Sequence, residues 1–358
     1  MRSFDYRWLE DCLWDGEVVS LVSQIHEYKG RQDLFVSQRP SSMARLVEIA
    51  KVQSVESSNR IEGIVTTKAR IRSLVADKTM PRNRDEEEIM GYRDVLNTVH
   101  ENYEYIDLTR HIVLQLHRDL YAYSHKGIGG QFKNVQNSII ERLADGSEVE
   151  RFKPLAPYET PAAIDEICQG VNAVLQDKSV DLLLVIPVFI HDFLCIHPFN
   201  DGNGRMSRLL TTLLLYQNGY MIGKFISLEQ KIERTKDSYY AALAQSGAGW
   251  HTGDEDVVPF VKYMLRVILA AYRDFESRIA LLNTSLSAKD RIKIIISATI
   301  GKITKSGILE KQPDIAVSTV EKALKELVEE GFIERHGVGR STFYVKVSQK
   351  ISFHAKYI

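Results

Sequence analysis

His197-Pro198-Phe199-Asn200-Asp201-Gly202-Asn203-Gly204-Arg205-Met206-Ser207-Arg208 is the stretch on which the fold and the chemistry turn. It sets an imidazole, a carboxylate, two glycines, an amide and two arginines on one short segment. An apolar run from Leu182 to Ile196 precedes it and another from Leu209 to Tyr216 follows. The segment therefore reads as a loop that joins two helices and opens the second. Free N–H groups and the dipole at a helix start attract phosphate. Gly202 and Gly204 let the backbone come close to a ligand, because no Cβ intrudes. Arg205 and Arg208 stand three apart on the first turn and can lean toward one anion. The spacing suggests a base held beside a bound polyphosphate.

These twelve residues resemble the signature of the Fic family (filamentation induced by cAMP), His-x-Phe-x-[Asp/Glu]-Gly-Asn-Gly-Arg-x-x-Arg, at every fixed position. The resemblance implies a protein adenylyltransferase that moves AMP from ATP to a Tyr, Ser or Thr hydroxyl of a target protein, the chain itself included. His197 would then be the catalytic base, a task suited to a group that titrates near neutral pH. Asp201 would hold Mg²⁺, a hard cation that prefers carboxylate oxygen. The backbone of Gly202, Asn203 and Gly204 would cradle the diphosphate, with the Asn203 side chain as an added donor. Arg205 would hold the β-phosphate and Arg208 the γ-phosphate. Phe199 is expected in the core, and His191, within the apolar run, is read as structural. Tyr240 is assigned to the neighbourhood of the nucleotide base, with buried packing as its alternative. Relatives with other chemistries carry Lys in place of Gly204 or lack the second arginine; this chain has Gly204 and Arg208.

Ser58-Asn59-Arg60-Ile61-Glu62-Gly63 resembles the inhibitory motif of the same family, [Ser/Thr]-x-x-x-Glu-[Gly/Asn], here preceding the core. Ser58 and Glu62 are four apart and share a helix face. The Ser58 hydroxyl is also suited to free N–H groups at a helix start. The resemblance aims Glu62 at Arg208, which would withhold that arginine from a terminal phosphate. The same residues allow a second reaction, removal of AMP from a modified target, with Glu62 positioning a water.

The formal net charge of −1 over 358 residues demands neither nucleic acid nor an acidic membrane. Three sparse cysteines, Cys12, Cys168 and Cys195, argue against a disulfide framework or a zinc site and suggest a reducing, cytoplasmic setting. No apolar signal core is seen at the start, and the longest apolar run is far shorter than the roughly 20 residues a membrane helix needs.

Outward from the loop, helical spacing is read over residues 5–56, 85–103, 109–123, 160–176, 227–244 and 255–279. Pro187 should lie near a helix start or kink it. Lys126-Gly127-Ile128-Gly129-Gly130 breaks the pattern, and residues 131–141 alternate loosely, which predicts a β-hairpin flap. An exposed strand edge around 132–140 would pair with an extended target segment and offer its hydroxyl to His197.

Residues 283–287 read as a linker. Beyond them come helices, the third at 317–330, and strands at 332–336 and 341–347, a pattern that resembles a winged helix-turn-helix. The expected fold is thus mainly α: a Fic-fold helical bundle with a small β-hairpin flap, then a winged-helix α+β domain. The expected divisions are 1–84, 85–282 and 283–358. Ser318, Thr319, Lys322 and Lys325 could face phosphates. Glu321, Glu326, Glu329 and Glu330 on the same helix oppose that, so DNA is the less favoured partner despite Arg335, His336, Arg340 and Lys346 on the wing. Protein contact, a homodimer or presentation of the acceptor hydroxyl is favoured instead.

Overall fold

The computed structural model describes residues 4–38, 40–142, 148–177, 179–282, 287–299, 301–312 and 315–347. The chain divides into two compact units, Met1–Asp274 and Phe275–Ile358. The first unit opens on a 3-10 turn, Tyr6–Glu10. It continues with α1 (Gly16–Gln38), α2 (Pro40–Ile61), α3 (Lys68–Val75), α4 (Arg84–Asn102) and α5 (Arg110–Leu120). Two strands follow, β1 (Ile139–Arg142) and β2 (Glu148–Phe152). Then come α6 (Thr160–Asp177), α7 (Leu182–Ile196), α8 (Asn203–Gln217), α9 (Ile222–Phe225), α10 (Leu228–Arg234), α11 (Lys236–Gly247) and α12 (Val258–Leu282), within which the division falls.

Local chemistry sets these boundaries. Asn83 caps α4 by accepting the Glu86 N–H at 3.0 Å, and Asp85, Glu86 and Glu87 crowd its first turn, where a helix dipole favours negative charge. Thr109 caps α5 in the same way, and Asp181 caps α7. α7 is buried from Leu183 to Ile196, so this apolar helix is the axis of the unit. Pro187 lies in its second turn, near the start as the sequence suggested. α7 packs on α6, α8 and α11, while α2 packs on α3, α4, α9 and α10. Residues 1–84 thus share one compact unit with the helices that carry the loop.

The flap departs from its expected position. β1 begins only at Ile139 and pairs antiparallel with β2, so most of the 132–140 window is not strand. The reason is visible in the bonds. Lys133 N donates to Pro198 O at 2.8 Å and Asn137 Nδ2 donates to Phe199 O at 3.2 Å. This segment pairs with the 196–200 backbone instead of a strand ladder.

The second unit holds α13 (Ala288–Ala298), β3 (Lys302–Ile303), α14 (Lys305–Lys311), α15 (Val317–Glu329), β4 (Ile333–His336) and β5 (Phe343–Lys346). Its antiparallel sheet runs β3-β5-β4. Ile292, Ile296, Ile308, Val320, Leu324, Leu327 and Ile333 form its core. β3 was not foreseen from the sequence. Residues 283–286 of the expected linker lie outside the described residues; Ser287 caps α13. Among the described residues no helix is long and apolar enough to cross a membrane.

Candidate active site

His197 is the C-cap of α7 and has a left-handed backbone, φ 51°, uncommon for a residue with a Cβ. Its N–H closes the helix on Phe193 O at 2.9 Å. Nδ1 lies 3.3 Å from Leu194 O. A carbonyl only accepts, so we assign the proton to Nδ1 and the lone pair to Nε2. Burial, only partly opposed by that hydrogen bond, pushes the pKa down to about 4. The imidazole is therefore neutral at neutral pH and suited to accept a proton at Nε2.

Four residues brace the loop around it. Asn203 accepts the Phe199 N–H at 2.9 Å and donates back to Phe199 O at 2.8 Å, so its amide is engaged inside the loop. One of its two amide N–H donors is thereby spent on the loop. Phe199 is fully buried, as expected, and stacks on His117 with centroids 3.6 Å apart. His117 Nε2 donates to Asp201 O at 3.0 Å, and its Nδ1 accepts the Gly130 N–H at 3.0 Å. Burial holds the His117 pKa at about 4, which matches one donor and one acceptor on a neutral ring. Lys133 Nζ donates to Ile196 O at 2.9 Å, at the end of α7 where a cation is favoured. Burial lowers its pKa to about 8. His191 is buried against Phe260 and Cys195, within the packing of α7.

Gly202, φ 89°, is the N-cap of α8 and provides no side-chain cap. The first-turn N–H groups are thereby left for an anion. Arg205, only 1% exposed, has Nη1 2.7 Å from Glu88 Oε2, and its Nη2 donates to Tyr121 OH at 2.6 Å. Its Nε has no hydrogen-bond partner among the described residues. Asp201 Oδ1 accepts the Gly202 N–H at 2.7 Å, and Oδ2 accepts Lys126 Nζ at 2.6 Å. Lys126 Nζ also lies 2.8 Å from Glu88 Oε1. Among the described residues no three or more His, Cys, Asp or Glu side chains gather as a metal cage. A resident metal does not fit that donor set. An ion brought in on nucleotide phosphates does, since it needs only one or two protein carboxylates, here Asp201.

Arg208 is buried and held by α2. Its Nε donates to Ser58 Oγ at 2.8 Å, and its Nη2 donates to Ser58 O at 3.0 Å and Glu62 Oε1 at 2.7 Å. Burial works against the charge, yet the Glu62 carboxylate leaves the Arg208 pKa above its ordinary value. Ser58 sits near the C-terminal end of α2, so it is not the helix-start cap the sequence allowed. α2 instead ends on a pair of crossed bonds: Ile64 N to Asn59 O at 3.0 Å and Gly63 N to Arg60 O at 3.0 Å. Gly63 supplies the left-handed residue that this ending requires, φ 79°. Glu62, just before it, is thereby turned toward Arg208 and the first turn of α8. Lys236 Nζ donates to Ile61 O at 2.7 Å and completes the end of α2.

Tyr240 is half exposed, and its ring centroid lies 5.7 Å from Lys236 Nζ, the group that donates to Ile61 O at the end of α2; its pKa is raised by burial and then by Glu62. Its neighbour Tyr239 is the one buried in the core. The structure therefore brings the loop, the Ser58–Gly63 motif and Tyr240 together. Sequence reading missed Glu88, His117, Tyr121, Lys126 and Lys133. Of these only Lys126 carried a signal, as the first residue of a glycine-rich break.

Residues 107–215 match the Fic/DOC family model. The chain is 26% identical over 327 residues to the protein adenylyltransferase Fic of Drosophila melanogaster, covering 87% of this chain and 58% of that one. It is 24% identical over 234 residues to the protein adenylyltransferase Fic of Nematostella vectensis, covering 63% and 48%. The chain thus spans about half the length of these curated relatives. Among solved structures, a Fic family protein from Desulfovibrio desulfuricans shares the fold with a TM-score of 0.63 at 20% identity, over 94% of this chain and 98% of that one. A Fic domain protein from Bacteroides thetaiotaomicron gives 0.58 at 21% identity, over 72% and 95%. A half-buried imidazole, an uncapped helix start and paired arginines thus sit inside a stretch, residues 107–215, that matches the Fic/DOC family, in a chain similar to protein adenylyltransferases.

Proposed function

We propose that this chain is an autoinhibited protein adenylyltransferase. Its substrates are ATP, bound with Mg²⁺, and a hydroxyl-bearing side chain of a target protein or of the chain itself. The observation that carries the reading is Glu62 seated on Arg208 at the start of α8. A carboxylate there takes the place that a helix start and an arginine would otherwise give a terminal phosphate.

His197 Nε2 takes the proton of the target hydroxyl as its oxygen bonds to the α-phosphorus of ATP and pyrophosphate leaves. The first-turn amides of α8 and Arg205 hold the phosphates in line, and Arg208 holds the terminal one once Glu62 withdraws. Asp201 would bind Mg²⁺, which offsets charge on the phosphates. Tyr240 would border the base. The β1–β2 hairpin would dock an extended target segment, with Lys133 and Asn137 linking its approach to the loop.

The test compares wild type, Glu62→Gly and Glu62→Gly/His197→Ala with ATP labelled at the α- or the γ-phosphorus. Transfer from α only, low in wild type, high in Glu62→Gly and absent in the double variant, supports the reading. Transfer from γ makes the protein a phosphotransferase, and release of AMP from a modified target without transfer makes it a remover.

For residues 275–358 we propose a winged helix-turn-helix whose favoured partner is protein, with duplex DNA as a second reading. This stretch carries 14 Lys and Arg against 9 Asp and Glu, so it is basic in a chain of net charge −1. Three acids of α15 are paired at the surface: Glu326 and Glu330 with Lys289, and Glu321 with Lys305 at 2.6 Å. Ser318, Thr319 and Lys322 remain exposed. A steep fall of DNA affinity with rising salt supports the DNA reading, and salt-independent self-association supports protein contact.

A further inference from the structure

The geometry points to Lys126 as a stand-in cation: its ammonium occupies the one open ligand oxygen of Asp201 until a divalent ion displaces it. The inference rests on the nucleotide reading above. Asp201 Oδ1 is committed to the Gly202 N–H at 2.7 Å and lies 3.7 Å from Arg205 Nη2. That leaves Oδ2 for a metal, and Oδ2 is the atom that Lys126 Nζ approaches to 2.6 Å. Two cations on one carboxylate oxygen repel strongly, so an arriving ion must move the ammonium.

Lys126 is built into place. Its N–H lies 3.3 Å from Ser124 Oγ, and Nζ lies 5.4 Å from the Tyr121 ring centroid. The Gly130 N–H to His117 bond ties the same turn to the loop. Glu88 gives the displaced ammonium somewhere to stay. It already accepts Lys126 at 2.8 Å, and it also faces Arg205 at 2.7 Å and Arg84 at 3.2 Å. Asp201 is not so surrounded, which makes it the carboxylate that Lys126 chiefly neutralises. A divalent ion alone competes poorly here. An ion that arrives on nucleotide phosphates brings negative charge with it, which compensates for the crowding of cations. Lys126 thus makes the site selective for the metal–nucleotide complex over the free metal.

The experiment measures Mn²⁺ binding by the electron-spin signal of the free ion, on the full chain in the Glu62→Gly background, with and without a saturating non-hydrolysable ATP analogue. Lys126→Met is expected to tighten Mn²⁺ about fivefold, in keeping with a partly exposed ion pair, and most clearly without nucleotide. Lys126→Gln gives the same direction with a polar head retained, and Lys126→Arg stays at the parent value. Unchanged or weaker Mn²⁺ binding in both neutral variants overturns the stand-in role while leaving the nucleotide reading in place. If the parent with the analogue binds Mn²⁺ no better than its Asp201→Ala variant, the metal–nucleotide reading fails, and this inference with it.

Discussion

Glu62 Oε1 stands 2.3 Å from the point where a Cβ on Gly204 would lie. The carboxylate therefore rests directly on the first turn of α8, and a single methyl group there would collide with it. Gly204→Ala and Glu62→Gly both remove Glu62 from this position, but only the second leaves the backbone open. We expect the double variant Glu62→Gly/Gly204→Ala to bind an ATP analogue at least about tenfold more weakly than Glu62→Gly, as one misplaced contact of ~1.4 kcal/mol implies. Equal affinities in a calorimetric titration would place the polyphosphate elsewhere.

Ser58 Oγ accepts from Arg208 Nε only while the arginine is turned toward α2. Ser58→Ala should destabilise that position by about 1–2 kcal/mol, the cost of a lost hydrogen bond to a buried charge. Basal labelling by ATP should then rise between about fivefold and thirtyfold, short of Glu62→Gly. A fall in labelling would mean that Ser58 supports the active state instead.

Gly63 adopts φ 79° in open space, so a side chain there meets backbone strain and no clash. Gly63→Ala should cost ~1 kcal/mol and lower the thermal midpoint by a few degrees. Because the strain falls on the residue that aims Glu62, basal labelling should rise as well. A lower midpoint with unchanged labelling would separate the helix ending from the aim of the carboxylate.

Burial depresses the His197 pKa from 6.5 to about 4. A base works when deprotonated, and a lowered pKa extends that form toward acid. The acidic limb of kcat/KM for Glu62→Gly should therefore lie well below pH 6.5, toward 4–5. A limb at 6.5 would assign the essential base to an exposed histidine.

Stability should respond in the same direction. His100, His117 and His197 are all held neutral at about 4 in the folded state. The unfolded chain takes up their protons first, so stability is full above pH 6.5 and falls as pH drops toward 4. Glu86, held at about 2 by Arg70, still contributes through that window. A thermal midpoint that declines between pH 6.5 and 5 is the expected outcome, and a flat profile there would count against neutral burial of these rings.

Much of the site was legible because it is local. Residues 197–208 name a loop between two apolar helices, and α7 and α8 lie on either side of it. The Ser58–Gly63 stretch also reads locally, but its geometry does not follow from spacing. Ser58 looked suited to a helix start and stands near a helix end, because Gly63 in the left-handed region stops α2 there. Glu88, His117 and Tyr121 reach the loop from α4 and the region of α5, across more than eighty residues in each case, and nothing in their neighbours announces it. The flap was placed early because loose alternation over 131–141 looks like a strand. Lys133 and Asn137 bond the 196–200 backbone, so the ladder starts at Ile139.

α2 packs on α3, α4, α9 and α10, and Ser58 in its last turn and Glu62 just beyond it reach Arg208. Opening the site requires a shift at that turn and no unfolding of the helix. The Glu62 contact is a charged hydrogen bond worth about 1.5–3 kcal/mol, so its loss alone would raise the open fraction by about 10- to 150-fold. On the proposed reading, inhibition is a set-point and not a lock. Single substitutions at the end of α2 would move it in small steps, and the basal rate of an unmodified preparation would report the population of the open form.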